Sequence, residues 1–120
     1  MQVRKTEEIR RFTQWCFGHL NLRPIRIHII NAPCLMTPDG IHSFGCYSFG
    51  DGETDIYLAG KLPKSALLTV AAHEIAHYYQ DSHGEIYAME SAECEEQADK
   101  AGMKLLSLWQ ARQSKKKTGD

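Results

Sequence analysis

Residues Ser65–Asp81 read SALLTVAAHEIAHYYQD, a run of helix formers with His73-Glu74-Ile75-Ala76-His77 near its centre. Ser65 is a candidate cap at its start, and Ser82-His83-Gly84 closes it. Taking His73 as origin, a turn of about 100° per residue puts His77 at about 40° and Glu74 at about 100°. Leu68, Ala72, Ile75 and Tyr79 fall between about 200° and 260°, an apolar back. Such a helix lays its back on a sheet and turns two imidazoles and a carboxylate towards a cleft. Ala66, Thr69 and Val70 share that front and leave room for a partner helix.

Upstream, Thr54–Ala59 and Ile41–Phe49 alternate as strands, divided by the turn Gly50-Asp51-Gly52. The segment Asn31–Gly40, with two prolines, reads as a loop. Ile25–Ile30 is β-branched and alternating, a third strand. Residues 5–20 form an amphipathic helix through Ile9, Phe12, Trp15 or Cys16, and Leu20, stopped by Asn21-Leu22-Arg23-Pro24. Downstream, a helix is expected from about Met89 to Arg112, and the polar residues 114–120 as a disordered tail. The expectation is one α+β domain over residues 1–113: an N-terminal helix, a three-stranded sheet, the His73–His77 helix and a last helix.

At 120 residues the chain is too short for two ordinary domains. Fourteen basic side chains against fifteen acidic ones leave a net charge of −1, so no basic excess points to nucleic acid or an acidic membrane. No apolar run has the length of a membrane span, and the start lacks a leader-like apolar core, so the expected location is cytoplasmic. Cys16, Cys34, Cys46 and Cys94 form no C-x-x-C pair and read as free thiols.

His73 and His77, one turn apart, suit a single Zn²⁺, while Glu74 is offset enough to miss the metal and reach a water beside it. A third ligand is needed. Glu95 is one candidate. Taking it as 0° on the last helix, Asp99 lies at about 40°, Gly102 at about −20°, Leu106 at about 20° and Trp109 at about −40°. This pattern sets Glu95 and Asp99 on the buried face, where a carboxylate wants a cation. Asp99 is placed to take the free N–H of a ligating histidine, and Gly102 to let two helices approach. His83 is the alternative, as ligand or as a donor to a reacting oxyanion. The run from His73 to His83 resembles the metzincin spacing, with Gln80 where that pattern has glycine. His83-Gly84-x-x-Tyr87 also resembles a motif of SprT-like proteases.

Over roughly residues 54–106 the chain resembles small zincin metallopeptidases of the gluzincin group, among them minigluzincins and the ImmA-like and phage-type peptidases. The residues that carry the likeness are His73-Glu74-x-x-His77 and Glu95-Glu96-Gln97-Ala98-Asp99, with Gln97 departing from the second acid of the longer pattern. The resemblance implies a zinc metallopeptidase that cuts peptide or protein substrates. His73, His77 and Glu95 would be ligands, and Glu74 the base acting on a zinc-bound water. It further implies that Thr54–Ala59 serves as the substrate-holding edge strand, with Tyr87, His83, Tyr79 and His42 open as oxyanion donors. A competing expectation is a zinc-stabilised interaction module with little turnover, or a latent enzyme whose metal is blocked by the chain termini or by a cysteine such as Cys34 or Cys46.

Overall fold

The structure is a computed structural model and describes residues 2–36, 40–50, 53–84 and 90–117. Along the chain run α1 (Gln2–His19), β1 (Arg26–Ile30), β2 (Leu35–Met36), β3 (His42–Ser43), β4 (Gly45–Gly50), β5 (Glu53–Ala59), α2 (Lys64–Ser82) and α3 (Ser91–Lys117). The mixed α+β class expected from the sequence is what these elements make. Among the described residues, no helix is long and apolar enough to cross a membrane.

In α1, Ile9, Phe12 and Cys16 repeat at helical spacing and are fully buried. Asn21 ends the helix in a left-handed conformation, φ 57°, which asparagine tolerates better than most residues. Phe12 and Trp15 meet Trp109 of α3, each with ring centroids 5.6 Å apart. Such aromatic pairs add about 0.5–1.5 kcal/mol beyond the area they bury.

The main sheet has the order β1-β5-β4, with β1 parallel to β5 and β4 antiparallel to it. Register pairs Ile27 with Ile56 and Ile56 with Tyr47, and these side chains join the core beneath α2. The strand expected over Ile41–Phe49 is divided in two. Its first part, β3, pairs with β2, a strand that arises inside the stretch read as a loop. The exchange of partners falls at Phe44, whose carbonyl still accepts from the Ala59 N–H. Thr54–Ala59 belongs to the central strand β5, and among the described residues the sheet edge beside α2 is β4. The edge-strand expectation therefore moves from Thr54–Ala59 to Gly45–Gly50.

On the sheet face away from α2, Asp55 accepts from His28 Nε2 at 2.8 Å and from Arg26 Nε at 2.9 Å, and its side chain is only 8% exposed. The hydrogen bond from His28, helped by the Arg26 charge, outweighs burial and holds the Asp55 carboxyl below the usual carboxylate range.

Two helix ends differ from expectation. Pro63, not Ser65, occupies the cap position of α2, and no side chain caps it. Helix α3 continues to Lys117, so residues 114–117 are helical rather than part of a disordered tail. Lysines favour a helix C-terminus, and no breaker occurs before Gly119. Residues 118–120 lie outside the described residues.

Candidate metal centre

Helix α2 is buried around most of its circumference. Leu67, Leu68, Ala71 and Ile75 enter the core, Tyr78 donates to the Arg23 carbonyl at 2.7 Å, and Ala72 lies beneath α3. The sector left towards the cleft carries His73 and His77, whose side chains are 21% and 12% exposed. Tyr79, expected on the apolar back, is only half-buried and lies against His83, ring centroids 4.1 Å apart.

The cleft is a cavity of about 470 Å³ between α2, β4 and the first turns of α3. Inside it, His73 Nε2 lies 3.1 Å from His77 Nε2 and 3.0 Å from Glu95 Oε1, and Glu95 Oε2 lies 3.1 Å from His77 Nε2. One donor atom from each of His73, His77 and Glu95 falls within 4.8 Å of the others. The far nitrogens are engaged too. His73 Nδ1 donates to Asp99 Oδ1 at 2.7 Å, and His77 Nδ1 donates to Gln80 Oε1 at 2.8 Å. With a proton on each Nδ1, the neutral rings turn two Nε2 lone pairs towards each other and towards a carboxylate. Three electron-rich atoms in such proximity repel unless a cation or a shared proton stands between them. Zinc–nitrogen bonds of about 2.0–2.1 Å in tetrahedral geometry give ligand separations of roughly 3.3 Å, close to those found. The donor set therefore fits a zinc ion.

Glu95 and Asp99 were expected on the buried face of α3, and here the structure differs: their side chains are 62% and 70% exposed. The buried stripe is carried by Cys94, Ala98, Gly102, Leu105 and Trp109, centred about 60° away from Glu95. The two acids flank that stripe and reach over the rim of the cleft to the histidines.

Glu74 is 8% exposed and stands beside the donor cluster without joining it. Burial pushes its carboxyl up. The neighbouring imidazoles oppose that rise, the Glu95 charge adds to it, and the Tyr47 backbone N–H opposes it by hydrogen bonding. Tyr47 Oη in turn donates to Asp81 Oδ2 at 2.6 Å, tying β4 to the end of α2.

His83 is not brought to the cluster. It occupies the C-cap of α2, where its Nδ1 lies 2.9 Å from the Tyr79 carbonyl. His42 lies on β3 with Nδ1 3.5 Å from Cys34 Sγ, and neither residue lines the cleft. Cys46 and Cys94 do line it. Tyr87 and Met89 lie outside the described residues. Sequence reasoning missed Gly45, whose bare Cα lets β4 approach Val70 and Glu74, and Gln80, which it treated only as a missing glycine. The signal for Gln80 was its place three residues after His77, one turn along the same helix.

No protein-family model, no curated protein and no solved structure significantly matches the chain.

Proposed function

We propose that the chain is a small zinc-dependent metallopeptidase of the gluzincin type, acting on peptide or protein substrates. The observation that carries this reading is the convergence of His73 Nε2, His77 Nε2 and the Glu95 carboxylate, with both Nδ1 atoms already committed elsewhere. His73, His77 and Glu95 would hold the metal, and Asp99 would fix the His73 ring. Bound there, zinc would supply Lewis acidity, acidifying a water and polarising a peptide carbonyl. Glu74, buried at the cleft floor, would accept the proton of the attacking water and hand it to the departing nitrogen. The β4 edge lines the same cavity, so an extended peptide laid beside it would pass the cluster, and a sheet edge can hold a strand by backbone hydrogen bonds.

Zinc content and cleavage of casein or a peptide library, measured for the wild type, Glu74→Gln and Glu95→Ala, test the reading. Glu74→Gln is expected to keep zinc and to lose about 10²–10⁴-fold in turnover. A wild type that binds zinc yet cuts nothing would instead favour a zinc-stabilised interaction module. A wild type that takes up no zinc ends both readings.

A further inference from the structure

Gln80 is 4% exposed, on the inner side of α2 next to the cleft. Its amide makes three contacts. Nε2 donates to the Cys94 carbonyl at 2.9 Å, while Oε1 accepts from Cys94 Sγ at 3.1 Å and from His77 Nδ1 at 2.8 Å. These contacts form a chain of logic. A carbonyl oxygen can only accept, so Cys94 forces the NH₂ end of the amide towards itself. That leaves Oε1 facing His77, and an amide oxygen has no proton to give. The proton shared between them therefore sits on His77 Nδ1, and the bare lone pair sits on Nε2, the atom that faces His73 and Glu95. Cys94 is also the residue before Glu95, so the same amide anchors the turn of α3 from which Glu95 reaches in.

We infer that Gln80 is the positioning residue of this centre, setting the tautomer of His77 and tying the Glu95 turn of α3 to the helix that carries both histidines. The inference rests on the metal reading of the cluster. The role divides between two atoms: Oε1 serves His77, and Nε2 serves α3. Asp99 does the equivalent work for His73 from α3, so one histidine of α2 is fixed from its own helix and the other from its neighbour.

Two substitutions separate the atoms. Gln80→Met keeps the length and removes all three contacts. Gln80→Glu keeps an acceptor for His77 and alters the group facing Cys94. Zinc affinity is read by competition with a chromogenic chelator. The His77 tautomer is read in metal-free protein by long-range ¹H–¹⁵N correlation at about pH 8, where an ordinary imidazole is neutral. The expected results are an Nδ1–H tautomer for His77 in the wild type, a loss of roughly 10–100-fold in zinc affinity for Gln80→Met, and a smaller loss for Gln80→Glu, which keeps the acceptor for His77 but has no donor for the Cys94 carbonyl. The inference is overturned by an Nε2–H tautomer in the wild type. It is equally overturned by wild-type affinity in Gln80→Met, or by a loss in Gln80→Glu as large as in Gln80→Met. Should the methionine variant fail to fold, the wild-type tautomer and the glutamate variant still decide. A wild type that binds no zinc defeats the metal reading alone, and the tautomer still tests the part assigned to Gln80.

Discussion

Gly102 of α3 rests directly on the backbone of His73: a Cβ added to the glycine would lie 3.1 Å from the His73 nitrogen and 3.1 Å from the Ala72 carbonyl carbon. Those atoms belong to a helix backbone and cannot turn aside as a side chain would. Gly102→Ala should therefore shift α3 by a few tenths of an ångström from α2, an overpacking strain of about 1–3 kcal/mol set against the roughly 1 kcal/mol that alanine gains over glycine within a helix. Because Glu95 and Asp99 ride on α3, zinc affinity should fall along with the thermal midpoint. Calorimetry and zinc competition on this variant check both, and unchanged zinc binding would mean that helix spacing does not set the centre.

The assignment of the third ligand predicts a sharp contrast. Glu95→Ala should lose zinc, whereas His83→Ala should keep it, since His83 is occupied at the C-cap of α2. Asp99→Asn should weaken zinc roughly 10–100-fold while leaving the ligand set intact. Metal content after dialysis against a weak chelator measures all three, and zinc lost from His83→Ala but retained by Glu95→Ala would reverse the assignment.

Gly45 sets the other wall of the cleft. A Cβ there would fall 2.5 Å from Val70 Cγ1 and 3.1 Å from Glu74 Cγ. Gly45→Ala should therefore disturb Glu74 more than the ligands, and cleavage should fall while zinc affinity changes little. Equal losses in both would show that β4 supports the histidines as much as the base.

Acid sensitivity should come in part from the far side of the sheet. Asp55 ionises more readily in the folded chain than in the unfolded one, because His28 and Arg26 favour its carboxylate. The unfolded state thus binds more protons between the two pKa values, and stability rises with pH across that interval. The contribution is full above the ordinary aspartate pKa and drains as pH falls through the lower folded value. Urea midpoints at a series of acidic pH values should fall less steeply for Asp55→Asn than for the wild type; parallel curves would remove Asp55 from the account.

Much of this arrangement is legible in the sequence because it depends on local periodicity. The spacing of His73 and His77 requires a helix to have meaning, and Ile9, Phe12 and Cys16 mark the face of α1 in the same way. Glu95 and Asp99 could be singled out, but the reason offered was mistaken. An apolar stripe read to about 60° does not separate its centre, at Ala98 and Leu105, from its flank. The strand order was not legible at all. Nothing in Thr54–Ala59 says that it will be flanked on both sides, because its burial is decided by the parallel pairing with β1, far off in sequence. Gln80 was hidden because an amide announces no chemistry until its partners are known.

The parallel pairing also bears on how the chain reaches this state. The β4–β5 hairpin and the α2–α3 pair join neighbours in sequence, and between them they carry every residue assigned to the centre. Pairing β1 with β5 requires closing the loop from Ile30 to Glu53, so it bears the larger chain-entropy cost and belongs to the slower part of assembly. The half of the molecule that carries the candidate metal centre is thus the half able to organise early, and zinc captured there would act as a nucleus onto which β1 and α1 dock.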